Sequence, residues 1–188
     1  MVTHKMLAHA LDDENGAGTG GAHGDQKGYE LCCCPWYSYP WIAVYRPVDE
    51  NGDRDEDKAN AIALFMERAV TNGFFGYNQN RNRRKEFFDV LAAVEFFPEY
   101  VTENVSTDCS GLVYTAVYSA YHIEGLDSYV TEEGNTLYRI PKTGNMDDYL
   151  LNVVGGFTKC DGAEYLESAD NLMRGDILLA DGHIAVWV

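Results

Sequence analysis

The sequence predicts one α+β domain in which a cysteine begins a buried helix that packs on an antiparallel sheet. The helix is indicated by apolar residues that recur every 3.6 positions after Cys109, namely Leu112, Val113, Ala116, Val117 and Ala120. The sheet is indicated by two apolar runs, 177–180 and 184–188, which flank Asp181-Gly182, a strong two-residue hairpin signal. A chain of 188 residues suffices for a single domain and hardly for two.

The sequence upstream of the Cys109 helix predicts one irregular segment, one strand and two further helices. Residues 1–30 are expected to be an irregular N-terminal segment, because glycine and polar residues crowd it. Residues 41–46 are predicted to form a strand with Pro40 at its entrance. Residues 58–72 fit an amphipathic helix that ends at Gly73, and residues 85–94 fit a second helix.

Residues 121–172 separate the Cys109 helix from the hairpin. Glycines and one proline divide this stretch into short pieces. Loops on a rigid scaffold tend to carry function, so selectivity is expected to reside here.

The composition excludes several classes of protein. The net charge of −16 argues against nucleic acid, whose phosphates need a basic face, and against binding to anionic polymers or lipid by bulk charge. No apolar run approaches the roughly 20 residues of a membrane helix. The first ten residues lack a long apolar core, so we expect no secretory signal peptide.

Neither a metal nor another cofactor is expected. The triplet Cys32-Cys33-Cys34 lacks the spacing of two to four residues that zinc ligands usually show, and core packing in a strand is favoured. The acidic loop that starts at Asp49 resembles a calcium loop only at its beginning. Its sixth position is Arg54 rather than glycine, and its twelfth is Asn60 rather than glutamate.

Two residues are candidates for thiol chemistry. Thr107 and Asp108 are both plausible N-caps, so Cys109 is expected in the first helical turn, where unpaired N–H groups and the helix dipole lower a thiol's pKa. The alternative is a small buried cysteine at a helix start. His183 opens the second hairpin strand, a rigid place where a base can be held. A cysteine at a helix start with a histidine on a later strand is typical of a thiol hydrolase.

The motifs around these residues resemble a known family. Asp108-Cys109-Ser110-Gly111, followed by Gly175-Asp176-Ile177-Leu178 and Gly182-His183-Ile184-Ala185-Val186, is similar to the NlpC-type cysteine peptidases and their phage relatives, which cleave peptidoglycan. Residues 20–26, Trp36-Tyr37, Pro40-Trp41 and Gly76-Tyr77-Asn78-Gln79-Asn80 resemble the front half of a bacteriophage peptidoglycan hydrolase family. The two resemblances together span the chain from about residue 13 to residue 188.

The resemblance implies a papain-like fold and an endolysin that hydrolyses bacterial peptidoglycan. Cys109 would attack an amide carbonyl, and His183 would take the thiol proton and then protonate the leaving amine. The N–H of Cys109 would help to hold the oxyanion. The bond would be either the muramoyl–alanine amide or one in the stem peptide. The protein would be made in the host cytoplasm and act on the wall after release, with targeting from a shaped cleft or from a separate wall-binding module.

Four further residues are assigned to the substrate or oxyanion side of the site. Tyr77 matches a tyrosine that lines the active site of NlpC-type enzymes upstream of the nucleophile. The side-chain amide of Gln79 is an alternative oxyanion donor. Asp108 and Ser110 flank the cysteine within the motif, and Asp108 is expected to cap the helix rather than to act as a base.

Two other functions stay open. The chain could be a binding or structural module that keeps the fold without chemistry, or it could transfer an acyl group to an amine. The resemblance places a third polar residue on the strand after the histidine, and the sequence ends five residues beyond His183. We therefore expect an incomplete sheet with an open edge at the last strand, which 41–46, a partner chain or a missing continuation would cover. The missing continuation is the favoured explanation.

Overall fold

The computed structural model describes residues 5–12, 30–121, 128–130, 136–138 and 140–188. Its strands are β1 (Met6–Ala10), β2 (Leu31–Pro35), β3 (Trp41–Pro47), β4 (Phe75–Tyr77), β5 (Val105–Thr107), β6 (Ser128–Val130), β7 (Thr136–Tyr138), β8 (Phe157–Cys160), β9 (Ile177–Ala180) and β10 (His183–Trp187). Its α-helices are α1 (Glu56–Thr71), α2 (Arg81–Ala93), α3 (Cys109–Tyr121), α4 (Met146–Asp148) and α5 (Ala163–Leu166). The predicted α+β class is confirmed, whereas the 20–26 motif lies outside the described residues.

Shorter elements complete the described part of the chain. They are 3-10 helices at Pro98–Tyr100 and Thr143–Asn145 and a π-helical turn at Tyr149–Val154. No helix among the described residues is long and apolar enough to cross a membrane.

The main sheet has six strands in the described part of the chain, in the order β2-β1-β10-β9-β3-β8. All of its neighbouring strands are antiparallel. The predicted hairpin is confirmed, since β9 and β10 pair from His183↔Ala180 to Val186↔Ile177. Gly182 in the connecting turn has a φ of +77°, a left-handed conformation that glycine adopts without strain.

The N-terminal segment is not irregular throughout, and this corrects the prediction for residues 1–30. Met6–Ala10 forms β1, which lies inside the sheet between β2 and β10. Four of its five residues are buried, because the sheet is covered on both faces. A strand buried on both sides lacks the alternating pattern that identifies a half-exposed strand, and a run of five residues is short, so β1 gave little signal in the sequence.

The expected open edge at the last strand is also wrong. β10 has β9 on one side and β1 on the other, with Leu7 opposite Trp187 and Ala8 opposite Val186. β3, which was proposed as a cover for that edge, pairs instead with β9 and β8.

The two faces of the sheet carry separate cores. Helices α1 and α3 cover one face, where residues such as Ile184 and Val186 are fully buried. The opposite face packs against an aromatic segment, residues 36–41, and against the α5 region. Alternate residues of β1 and β10 therefore point to different layers, because side chains alternate along a strand.

Both upstream helices begin earlier than predicted because polar side chains cap them. Asp55 accepts a hydrogen bond from the N–H of Lys58 at 2.9 Å, so α1 starts at Glu56. Asn80 accepts one from the N–H of Asn82 at 2.9 Å, so α2 starts at Arg81. Helix α2 connects β4 to β5, which are parallel, so the ends of both strands lie on the same side of the fold.

Candidate active site

Cys109 occupies the first turn of α3, as predicted. Asp108 is the N-cap: its Oδ1 accepts hydrogen bonds from the N–H of Gly111 at 2.7 Å and from the hydroxyl of Ser110 at 2.8 Å. Its carbonyl accepts the first helical hydrogen bond, from Leu112. The Asp108 carboxylate therefore organises the turn that presents the sulfur, which confirms the predicted capping role.

Gly111 has a packing reason to be glycine. A Cβ at this position would lie 2.4 Å from Oγ1 of Thr107 and 2.9 Å from Cγ of Arg84. The aliphatic part of Arg84, which comes from α2, thus crosses the first turn of α3 where the backbone carries no side chain. Gly111 consequently allows the guanidinium to reach Asp108 and Ser110, at 3.5 Å from each.

The sulfur of Cys109 lies at a gap between β1 and β10. Directly after β10, Val188 exchanges backbone hydrogen bonds with Met6, so alternate N–H groups of β10, including that of Ile184, face β1. The pairing continues with Leu7 opposite Trp187 and Ala8 opposite Val186, but it does not extend to Ile184. The N–H of Ile184 instead influences Cys109, where it favours the thiolate.

His183 lies at the same gap and is bound to a residue that the sequence did not reveal. Nε2 of His183 is 2.9 Å from Nδ1 of His9, which comes from β1. Nε2 of His9 is in turn 3.3 Å from the sulfur of Cys34 in β2. The side chains of His183, His9 and Cys34 form a linear chain across three adjacent strands, which we call the histidine chain.

The direction of hydrogen bonding in the histidine chain decides whether His183 can act as a base. A neutral imidazole carries one proton, so His183 can accept at Nδ1 only if its proton is on Nε2 and is donated to His9. Nδ1 of His9 must then be unprotonated, and its proton sits on Nε2, facing Cys34. The sulfur of Cys34 can accept that proton, so the histidine chain is compatible with the base-competent tautomer of His183.

Both histidines are held neutral. Burial lowers the pKa of His183 to about 4, although Asp12 opposes the shift. Burial lowers the pKa of His9 to about 4 as well, and the neighbouring His183 contributes. The rings of Tyr39 and Trp41 lie 5.5 Å and 5.9 Å from that of His183, centroid to centroid, and supply much of this cover.

The expected lowering of the Cys109 pKa is wrong. Burial raises the pKa of the thiol to about 12, and the adjacent Asp108 carboxylate adds to the rise. Hydrogen bonds from the N–H groups of Ile184, Ser110 and Cys109 itself favour the thiolate but do not outweigh desolvation. The resting pair is therefore a neutral thiol and a neutral imidazole.

The structure brings Cys109 and His183 to one gap without a hydrogen bond between their side chains. Cys109 belongs to the helix-covered layer, whereas His183 and His9 face the aromatic layer. Ile184, the residue after His183, is the link between them, because its N–H favours the thiolate of Cys109. Catalytic hydrogen bonds in free enzymes are often long and tighten in the complex with substrate.

The parallel strands β4 and β5 place Tyr77 and Gln79 near the start of α3. Tyr77 is opposite Thr107 in the β4–β5 pair, and the N–H of Asn78 donates to the carbonyl of Thr107 at 2.9 Å. Gln79 donates from Nε2 to the hydroxyl of Tyr77 at 3.0 Å. Burial raises the pKa of Tyr77, and nearby Cys109 and Asp108 contribute, so its hydroxyl stays protonated at neutral pH.

A cavity of about 270 Å³ opens beside Cys109. We call it the Cys109 cavity. It is lined by Gln79, Arg84, Asp108, Cys109, Ser110, Lys142, Thr143 and Gly182. Gly182 immediately precedes His183, so the cavity connects the turn of the hairpin to the start of α3.

No group of three or more histidine, cysteine or acidic side chains in the described part of the chain is arranged to hold a metal ion. His9, His183 and Cys34 bond in a line rather than around one point. Cys33 packs against the helix-covered core, while Cys34 lies on the face with the aromatic segment, so the triplet forms an ordinary strand with alternating sides.

The sequence contained one weak signal for His9. It is the single polar residue within Met6–Ala10, an otherwise apolar run, and a buried polar residue needs a partner. His9 and His183 are separated by 174 positions, so nothing local connects them.

Comparison with known proteins identifies one family. Residues 7–188 match the family model described as an endolysin-like domain. The match begins within β1 and includes Cys109, His183, His9 and Cys34. No curated protein and no solved structure matches the chain.

Proposed function

Because the chain belongs to the endolysin-like domain family, we propose that it is a peptidoglycan hydrolase that uses Cys109 as nucleophile and His183 as general base. The observation that carries the proposal is the placement of the sulfur of Cys109 and the histidine chain at one gap between β1 and β10. Family membership supports a phage lysin role and peptidoglycan as the substrate. The cysteine mechanism is our addition to it.

The reaction would proceed through a thioester. As the sulfur of Cys109 attacks the amide carbonyl, its proton passes to Nδ1 of His183, and the carbonyl oxygen becomes an oxyanion. The C–N bond then breaks, and His183 returns the proton to the leaving amine. Water, deprotonated by His183, attacks the thioester, which releases the carboxylic acid product and restores the thiol.

The resting state sets two conditions on this mechanism. A thiol with a pKa near 12 and an imidazole with a pKa near 4 do not form an ion pair at neutral pH, so proton transfer accompanies the attack. The side chains of Cys109 and His183 must also come within hydrogen-bond reach once the substrate is bound.

We assign the remaining residues to supporting roles. The N–H of Cys109 and the amide of Gln79 are the proposed oxyanion donors, and Tyr77 holds Gln79 in place. His9 orients His183, and Cys34 fixes the tautomer of His9. The bond cleaved is either the muramoyl–alanine amide or a stem-peptide amide.

A papain-like, NlpC-type architecture is part of the proposal. The resemblance requires a third polar residue on the strand next to the histidine strand. Here β1 lies beside β10 and supplies His9 at that place, although it precedes the nucleophile in the chain. The N-terminal strand thus takes the position that a strand after β10 would have.

The test is digestion of purified peptidoglycan, followed by mass spectrometry of the released fragments. The wild-type protein should generate new amine and carboxylate ends at one kind of amide. Cys109→Ala should abolish the release, and His183→Ala should lower its rate by about 10² to 10⁴, the usual range for a general base. Cys160→Ala is the matched control, because Cys160 is a half-buried thiol on the edge strand β8, and it should retain wild-type activity.

The competing function is a wall-binding module without chemistry, which the missing hydrogen bond between Cys109 and His183 favours. It predicts that the wild-type protein sediments with peptidoglycan and releases no fragments. Undiminished release by Cys109→Ala would refute the cysteine mechanism.

A further inference from the structure

The Cys109 cavity is lined by two cations and several polar side chains. Arg84 and Lys142 contribute cations, and Gln79, Ser110 and Thr143 contribute polar side chains. Among the described residues, Asp108 is the one acidic residue that lines it. This local excess of positive charge contrasts with the net charge of −16 of the whole chain.

Arg84 is the unusual member of this lining. It is only 4% exposed, and a buried charge needs an ionic or hydrogen-bonded partner. Its two side-chain contacts, with Oδ2 of Asp108 and with Oγ of Ser110, are both 3.5 Å long. Its Nε has no hydrogen-bond partner among the described residues.

Asp108 does not neutralise Arg84 well, because the carboxylate has another task. Its Oδ1 already accepts from the N–H of Gly111 and from the hydroxyl of Ser110 as part of the helix cap. A guanidinium presents five N–H donors in a planar fork that matches a carboxylate, and among the described residues only Oγ of Ser110 accepts a hydrogen bond from that of Arg84. The charge is held beside the nucleophile by the crossing at Gly111, so it is fixed in position and undersatisfied.

We propose that the Cys109 cavity binds a free carboxylate of the substrate, with Arg84 as the principal partner and Lys142 at the mouth. This rests on the proposed function, since a carboxylate in this cavity would belong to the stem peptide and would flank the amide that Cys109 attacks. Peptidoglycan stem peptides carry such groups at the α-carbon of D-glutamate and at the C-terminus. In some walls the first of these is a carboxamide, so the cavity would select among wall types.

The proposal is tested by binding, independently of hydrolysis, on the Cys109→Ala variant of the 188-residue chain. The probes are a synthetic stem peptide with both carboxylates free and two analogues, each with one carboxylate replaced by a carboxamide. Isothermal titration should show at least about a tenfold weaker Kd for one of the analogues, because a buried charged donor loses its partner.

Substitutions in the cavity then identify the residues responsible for the preference for a free carboxylate over a carboxamide. Arg84→Gln in the same background should remove the difference between the peptides. Arg83→Gln is the matched control, since it makes the same change at the neighbouring position, where the side chain pairs with Glu86 at the surface, and it should leave the difference intact. Lys142→Gln should reduce the difference by a few-fold, and because Lys142 is exposed this variant tests the proposal even if Arg84→Gln does not fold.

The outcomes separate this proposal from the mechanism. Equal affinity for all three peptides, or binding of none of them, overturns the carboxylate site while hydrolysis by the wild-type protein stands. A preference that survives in both Arg84→Gln and Lys142→Gln places the recognition elsewhere and also overturns it. A clear preference in a protein that hydrolyses nothing supports the site and refutes the proposed function.

Discussion

His9 and His183 are buried side by side as neutral rings, and this state governs the expected chemistry of the site. A charged imidazolium would lose its hydration here, and a second imidazole offers no negative charge to compensate. His183 is consequently ready to accept a proton at any pH above about 4. His183 is a weak base, so proton transfer from the thiol to its imidazole is favourable only while the sulfur attacks the substrate.

The pH dependence of hydrolysis follows from these pKa values. For the wild-type protein, kcat/KM should fall to half its plateau near pH 4, where His183 becomes protonated, and should stay level from about pH 5.5 to pH 8.5. The measurement is release of dye from labelled peptidoglycan, with circular dichroism at each pH to confirm that the protein is folded. A half-maximum near pH 6.5, the value of an ordinary histidine, would contradict a buried neutral base.

Cys34 offers a sharper test, because it touches neither the substrate nor His183. Cys34→Ala removes the acceptor for the Nε2–H of His9 and should lower kcat by about fivefold with little change in KM, as expected for the loss of about 1 kcal/mol of orienting interaction. Cys34→Ser, which keeps an acceptor, should restore most of the rate. Nitrogen-15 NMR of the imidazoles should show a shift in tautomer population in Cys34→Ala.

Cys32→Ala is the control for this prediction. Cys32 lies two positions earlier on β2 and on the same face, but it has no hydrogen bond to His9. The kcat of Cys32→Ala and the tautomer populations of its imidazoles should match those of the wild-type protein. If both variants behave alike, Cys34 has only a packing role.

The positions of Cys109, Asp108 and His183 in the fold could be predicted from the sequence because each has a local signature. The helix cap, the apolar stripe of the helix and the hairpin turn are each encoded within a few consecutive residues. The direction of the Cys109 pKa was missed because it depends on burial by distant segments, which outweighs the local effect of the helix start. His9 was missed for the same reason, since its partner lies on another strand.

At the scale of elements, α3 and β1 show opposite degrees of predictability. The helix has a long apolar stripe and a capping residue, so its start was placed correctly. β1 has only five residues, and its position between β2 and β10 is set by pairing with segments far away in sequence. The interior place of this strand therefore could not be read from the sequence.

Because Arg84 crosses the first turn of α3, we expect a glycine-to-alanine substitution in this helix to destabilise the protein rather than to stabilise it. Gly→Ala inside a helix normally stabilises a protein by up to about 1 kcal/mol. Gly111→Ala should instead destabilise by roughly 1–3 kcal/mol, because the new methyl group would overlap Thr107 and Arg84. The free energy of unfolding in urea measures this.

Gly144→Ala is the matched control for the helix variant. Apart from its neighbours in the chain, no described residue has a heavy atom within 4 Å of where the Cβ would be, so this variant should change the free energy of unfolding by less than about 0.5 kcal/mol. A stable Gly111→Ala protein with unaltered activity would show that Arg84 moves aside freely, which would also weaken the case for a fixed guanidinium.

At the scale of the whole molecule, the buried histidines connect stability to pH. Their pKa values are lower in the folded state, about 4, than in the unfolded chain, about 6.5, so the unfolded state binds more protons between these limits. This contribution to stability is fully present above pH 6.5 and is lost progressively as the pH falls toward 4.

The expected result is a fall in the free energy of unfolding from pH 7 to pH 4.5 that is shallower in the double variant His9→Gln, His183→Gln. The variant keeps polar side chains of similar size but has no group that gains a proton in this range. Urea titrations at several pH values measure both slopes. Parallel slopes would mean that the pKa values of the two histidines do not differ between the folded and unfolded states, which contradicts their burial as neutral rings.

The pairing of β1 with β10 also determines at which stage of synthesis and folding the candidate site can form. The two strands are joined through His9 and His183, 174 positions apart, so closing this contact spans almost the whole chain and carries a large loop-closure entropy. Contacts of such separation form late and slow folding. During synthesis, β1 leaves the ribosome long before β10, and until β10 follows, His9 has no partner and Cys109 has no neighbouring Ile184. A lytic activity that depends on both strands would thus be absent from every incomplete chain, and the cell making the protein would contain no active enzyme until translation had passed the hairpin.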